Sequence, residues 1–294
     1  FVGILRLSRN WIIAKLMSVY IEGFRNVPVL LWIVMIFALL TELTPAPKAF
    51  KGANPEASML LFESVAVTNR GTYLPMPIMG EGAYWLVIGL CLSLIIIIFL
   101  IRYSRSLKES TGKGLQTFWI SLLVLVVPFL LLYFILGKPI TFNYPYLKGF
   151  NFRDGIHLRN SFLALTFALA FYTSAFIGEI VRSGILAISK GQTEAASALG
   201  LRPNRIMSLI ILPQALRVIV PPMISQYLNL TKNSSLAIAV GYMDVRGTLV
   251  GITLNQTGRE LESMLLLMGF YLSVSLLISS VINYFNRSFQ IVGR

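Results

Sequence analysis

The chain has one cysteine, Cys91, and one histidine, His157, in 294 residues. An internal disulfide is therefore impossible, and a zinc site lacks the second thiolate or imidazole it would need. With a lone histidine between an external loop and a helix, no Ser/His/Asp set can share a site, which excludes the usual nucleophilic hydrolases. Charge is scarce as well. Only 13% of the residues are Asp, Glu, Lys or Arg, against about a quarter in soluble domains, so most of the surface must face something other than water. The chain also lacks a phosphate loop: Gly112-Lys113 has neither the spaced upstream glycine nor the following Ser or Thr. If ATP drives this protein, another subunit binds it. The chain begins without a methionine or a basic leader, and Phe1-Val-Gly-Ile-Leu-Arg-Leu-Ser reads as the last turns of a membrane helix belonging to a longer chain.

What is present is apolar. Hydrophobic residues make up 56% of the chain, and six stretches have the roughly 20 apolar residues needed to cross about 30 Å of hydrocarbon: 27–44, 84–101, 117–136, 161–182, 213–240 and 263–285. Only helices satisfy their own backbone groups over such lengths in lipid. The expected fold class is an all-α, polytopic transmembrane bundle. Residues 10–26 extend the first span backwards as a more polar, partly interfacial helix. Met264 and Met268 read as lipid-facing or core filler rather than as a metal relay.

The net charge of +13 fits membrane orientation better than nucleic-acid binding. With alternating loops, fifteen basic residues fall on one side, among them Arg6, Arg25, Arg102, Lys113, Arg202 and Arg294. Nine fall on the other, including Lys51, Arg153, Arg246 and Arg259. The excess marks the first side as cytoplasmic. Two segments look inserted over about 45–140. One is a turn-rich external loop, 45–80, with a short surface helix expected in Ser58–Val67. The other is a helical hairpin, 84–136, around a polar linker, Arg102–Gln116.

Residues 187–212 form a polar loop between two spans. Gln192–Leu199 is rich in helix formers, with Thr193 at a capping position and Gly200 as a C-terminal stop. Pro203 suits the start of a second helix. The order Glu194-Ala195-Ala196, three residues, Gly200, nine residues, Ile210, one residue, Leu212-Pro213 resembles the EAA loop of bacterial ABC-importer permeases. Three further segments are similar to the polar-amino-acid subgroup: Tyr20-Ile-Glu22-Gly-Phe-Arg25-Asn-Val-Pro28, Gly178-Glu179-Ile-Val-Arg182-Ser-Gly184-Ile, and Lys232-Asn233-Ser234-Ser235-Leu236. Val29 before Leu30, Ser183 and Ser234 depart from its usual residues. The inserted region resembles the enlarged permeases of general L-amino-acid importers.

The resemblance implies one transmembrane permease domain over 1–294 with a type I importer fold, in a bacterial inner membrane, with the EAA loop and the C-terminus cytoplasmic. It implies a pair of ATPase subunits that hold ATP and Mg, with no cofactor on this chain. A second permease subunit, paralogous or identical, and a periplasmic amino-acid-binding protein complete the expected assembly, with lipid around it and no nucleic acid. The coupling residues would be Gly191, Gln192, Thr193, Glu194, Ala195, Ala196, Ala198, Leu199, Gly200, Arg202 and Arg205, with the small alanines facing a groove on the ATPase.

Two ionic pairs, Glu22/Arg25 and Glu179/Arg182, stand three residues apart, so each can close on one helix face. Orientation of the cytoplasmic helix ends is preferred for them over substrate contact. Asn229, Lys232, Asn233, Ser234 and Ser235 interrupt an apolar span and suit a cavity or a partner subunit. Pro213, Pro221 and Pro222 should kink or unwind the same helix. Tyr172 and Thr173 are candidates for the same substrate path, with Tyr172 also readable as a packing residue. A gradient-driven amino-acid transporter or channel is the rival reading; it accommodates the spans but not the EAA spacing.

Overall fold

A computed structural model describes residues 1–52, 55–111 and 116–289. Gly112-Lys113 and the C-terminal Arg294 lie outside the described residues. Local chemistry sets the first helix ends. After α1 (Val2–Arg6), the Asn10 side chain accepts from the amides of Ile12 and Ile13 and starts α2 (Trp11–Asn26). Pro28 holds the preceding Val27 extended, ending α2 and opening α3 (Val29–Glu42). The polar 10–26 segment is thus a separate helix and not a backward extension of the span.

The chain then forms strands β1 (Ala66–Thr68), β2 (Gly71–Leu74) and β3 (Met76–Met79), followed by α4 (Ala83–Thr111) and α5 (Thr117–Ile135). Strands β4 (Ile140–Asn143), β5 (Tyr146–Lys148), β6 (Asn151–Arg153) and β7 (Ile156–Leu158) come next. The remaining helices are α6 (Asn160–Leu186), α7 (Lys190–Ala198), α8 (Pro203–Ile206), α9 (Leu212–Asn233), α10 (Leu254–Thr257) and α11 (Glu260–Phe289). Among the described residues, six helical stretches are long and apolar enough to cross a membrane, in register with the six expected spans.

The chain divides into two units. The first comprises 1–45, 68–71 and 158–294. Its core packs Val29 and Ile33 of α3 against Leu165, Ala168 and Leu169 of α6, with Ala237 and Val240 from beyond α9. Asn160 closes one end of this core: its amide donates to the carbonyls of Leu40, Thr68 and Asn69, and the Asn69 amide donates to Pro45.

The second unit comprises 46–67 and 72–157, and so reaches past residue 140. Within it α4 and α5 form the expected hairpin, in close contact where Gly89 meets Leu132. The helix α4 runs on to Thr111, well into the expected linker, because Arg, Leu, Lys and Glu are good helix formers. The expected surface helix in Ser58–Val67 is not formed. A single tight turn at Leu60–Glu63, closed by a bridge from Leu60 to Val65, leads into β1, where Val67 and Thr68 favour extended backbone. Three small sheets follow: β1-β2-β7, β3-β4 and β5-β6. Tyr73 and Phe152 fill a core shared by β1-β2-β7 and β5-β6, and the exposed His157 ring stacks on Tyr73 at 4.4 Å. These short strands lie between the spans and leave the helical bundle class intact.

Candidate functional site

The loop after α6 is built as a self-supporting helix-turn-helix. Ser189 occupies the N-cap of α7, one turn earlier than expected, and Thr193 lies inside the helix, where its carbonyl accepts from the Ser197 hydroxyl. The end of α7 follows the expectation. Gly200 has φ +75°, its amide donates to Ser197, and the Leu201 amide donates to Ala196, which satisfies two terminal carbonyls. Pro203 then opens α8 behind Arg202.

Both short helices rest on one apolar patch of Ala196, Ile206 and Ile211, flanked by Ile185, Ile188, Leu201 and Ile210. Ala196 is only 2% exposed, so it faces the chain's own patch and not a partner. The reason is the 3.6-residue period, which turns position 196 inward while its neighbours point out. Gly191, Gln192, Thr193, Glu194, Ala195, Ala198, Leu199, Gly200, Arg202 and Arg205 are all exposed. Leu199 is 81% exposed, a large apolar side chain presented beside a fixed turn. Glu194, Arg202 and Arg205, the charged residues nearest it in the loop sequence, are exposed, and among the described residues they form no ion pair. The loop joins α9 through a π-helical turn, Met207–Ile211, in which the Leu212 amide reaches back to Met207. Pro213 follows with no amide to offer, which favours this wider turn.

At the end of the bundle nearest this loop, Glu179 and Arg182 pair at 2.6 Å as expected. Glu22 does not pair with Arg25. Arg6 takes both carboxylates instead, Glu22 at 3.1 Å and Glu179 at 2.6 Å, and so ties α1, α2 and α6 together. Arg25 lies over the Phe176 ring at 5.4 Å. Arg6 approaches because α1 meets α6 backbone to backbone, Gly3 against Gly178, where a Cβ on either would crowd the other helix. Sequence spacing along one helix could not reveal a partner on another.

The polar cluster at the end of α9 is only partly open. Pro221 and Pro222 do not unwind the helix; it runs on to Asn233 and tightens into a 3-10 turn at Ser234–Val240. Asn229 and Lys232 are exposed, whereas Asn233, Ser234 and Ser235 are half-buried. The Ser234 and Ser235 hydroxyls donate to the carbonyls of Thr231 and Lys232. Thr173 is buried, and Tyr172 packs on the α3–α6 core and on Phe176. Thr173 is thus shielded within the bundle, whereas Tyr172 packs on the core and stays partly exposed. Sequence reasoning missed three residues beside the cluster. Arg246 donates to the Ser235 carbonyl at 3.3 Å, and Tyr271 of α11 donates to Asp244 at 3.4 Å. The available signal was a pair of opposite charges two residues apart after Gly241.

Residues 114–290 match the family of binding-protein-dependent transport system inner membrane components. The chain is 52% identical to the glutamate/glutamine/aspartate/asparagine transport system permease protein BztB of Rhodobacter capsulatus, over 99% of this chain and 73% of that protein. It is 43% identical to the general L-amino acid transport system permease protein AapQ of Rhizobium johnstonii, over 100% of this chain and 71% of that one. Among solved structures, an amino acid ABC transporter crystallised with histidines aligns with a TM-score of 0.51 at 19% identity, covering 98% of this chain and 82% of that one, a likeness of fold.

Proposed function

We propose how this chain works from one premise: it belongs to the binding-protein-dependent transport system inner membrane components. It is the membrane-spanning permease subunit of an amino-acid ATP-binding-cassette transporter. In our reading ATP and Mg are held by separate ATPase subunits, a pair of them, and the α7–α8 loop is the cytoplasmic surface they grip. A second permease subunit, paralogous or identical, packs alongside, and a periplasmic binding protein delivers the substrate. The bilayer is the bacterial inner membrane, with the C-terminus cytoplasmic. The substrates are polar or general L-amino acids, in keeping with the names of the two relatives.

The observation that carries the coupling role is the construction of α7. Its end is fixed by the Gly200 turn, its inner face is anchored by Ala196, and its outer face carries exposed Leu199. A helix held in this way transmits displacement, because force on the outer face passes through the Ile206–Ile211 patch into α9. Moving a two-state bundle from 1:99 to 99:1 takes about 5.5 kcal/mol of differential binding, which closure of an ATPase pair must supply through this contact.

The test is uptake by the intact complex reconstituted in proteoliposomes with its ATPase and binding protein. Amino-acid uptake should require ATP and survive an ionophore that collapses ion gradients. Uptake that persists without ATP and stops with the ionophore would favour the gradient-driven alternative.

A further inference from the structure

Beyond α9 the chain makes its 3-10 turn to Gly241, whose φ of +70° reverses the direction. The reversal brings Asp244 and Arg246 back beside the start of that turn. Arg246 Nη1 reaches the Ser235 carbonyl, using one of five guanidinium donors. The Tyr271 hydroxyl reaches Asp244 Oδ2 and also faces Ser234 and Ser235. Tyr271 sits about three turns into α11, roughly 16 Å along its axis, inside the span Glu260–Tyr284. The cluster therefore lies well below the end of that helix.

Asp244 and Arg246 are half-buried and of opposite charge. Among the described residues neither joins an ion pair, with each other or with anything else. Ionised groups at membrane depth are costly and are kept where they meet a partner or a transported species. Helix capping accounts for only half of Asp244: Oδ1 accepts from the Gly247 amide at 2.9 Å, while Oδ2 turns towards Tyr271. A concavity of about 600 Å³ opens beside Asp244 between Tyr242, Met243, Thr248 and Leu249.

We propose that Asp244, Arg246 and Tyr271 form a clamp for the zwitterionic end of an α-amino acid. Arg246 takes the carboxylate, with its remaining donors suited to two oxygens at once. Asp244 takes the ammonium through the oxygen that Tyr271 holds in place. The substrate side chain is left to the concavity, whose lining apart from Asp244 (Tyr242, Met243, Val245, Thr248 and Leu249) carries no charge. The clamp reads what all amino acids share. This inference rests on the importer reading and names the residues that would meet its substrate.

The probe is radiolabelled L-glutamine, measured by equilibrium binding to the permease–ATPase complex in nanodiscs and by uptake with the binding protein in proteoliposomes. Arg246→Gln and Asp244→Asn should each weaken binding at least tenfold, equivalent to about 1.4 kcal/mol. Arg246→Lys should recover part of the loss, since it restores the charge without the fork. Asp244→Ser separates clamp from cap: serine still accepts from the Gly247 amide but brings no charge, so it should fall with Asp244→Asn. Tyr271→Phe removes one hydroxyl and keeps the ring, and it should weaken binding at least threefold even if a charge variant fails to assemble. N-acetyl-L-glutamine, which lacks the ammonium, should compete poorly against wild type and gain ground in Asp244→Asn. Wild-type affinity in assembled Asp244→Ser, Arg246→Gln and Tyr271→Phe would overturn the clamp while wild-type uptake upholds the importer. A wild-type complex that hydrolyses ATP but moves no amino acid would overturn both.

Discussion

Arg6 and Glu179, 173 positions apart in the chain, meet at 2.6 Å with both side chains only about one-fifth exposed. The same guanidinium reaches Glu22, but that carboxylate is 52% exposed. Exposed pairs contribute about 0–1 kcal/mol, whereas hydrogen bonds to charged groups away from water contribute about 1.5–3 kcal/mol. Glu179→Ala should therefore lower the thermal unfolding midpoint of the detergent-solubilised permease clearly more than Glu22→Ala. Equal losses, or the reverse order, would show that Arg6 is not held mainly by α6.

Gly200 offers a conformational test of coupling. An alanine at φ +75° is strained by about 1–2 kcal/mol, while asparagine tolerates this region better. Gly200→Ala should reduce ATP-driven uptake in assembled complexes, and Gly200→Asn should retain most of it. Full activity in Gly200→Ala would remove the turn from the coupling argument.

Two neighbours on α7 should behave oppositely. Leu199→Asp alters an exposed side chain, so it should reduce co-purification of the ATPase and leave the melting curve of the permease unchanged. Ala196→Leu overfills the patch with Ile206 and Ile211, at a cost of about 1–3 kcal/mol, and should lower the melting curve first. If Leu199→Asp binds the ATPase like wild type, the docking face lies elsewhere on the loop.

Membrane sidedness is testable by labelling single cysteines in a chain with Cys91→Ala. Cysteines at Lys51 and Glu260 should react from outside in intact cells, and one at Gln192 only after the membrane is opened. Asp244 lies between the same spans as Glu260 but is half-buried against Tyr271, which makes it a poor external marker. Reaction of Gln192 from outside would reverse the proposed orientation.

The spans were legible because an apolar run of fixed length has one solution in lipid. The α7–α8 turn was legible because Gly200 and Pro203 are local signals with local consequences. The strands were not. Each has three or four residues, and pairs such as Met79 with Ile140 join segments on either side of a helical hairpin. Ala196 was assigned to the wrong face because motif spacing names a residue without saying which way it turns. Arg246 was counted as a loop charge, since nothing near it in the sequence shows that the chain doubles back to Ser235.

The amide of Asn160 joins the three stretches of chain that make up the first unit. Leu40, Pro45, Asn69 and Asn160 are joined to one another by bonds that involve no residue of the second unit. The second unit is thereby divided into two excursions, 46–67 and 72–157, each starting and ending beside this junction, so the length of either matters little to the helices of the first unit. Loop-closure entropy changes by only about 0.6 kcal/mol for each doubling of length. A change in the length of either excursion that keeps Thr68, Asn69 and Asn160 therefore leaves the junction, and the helices it holds, intact.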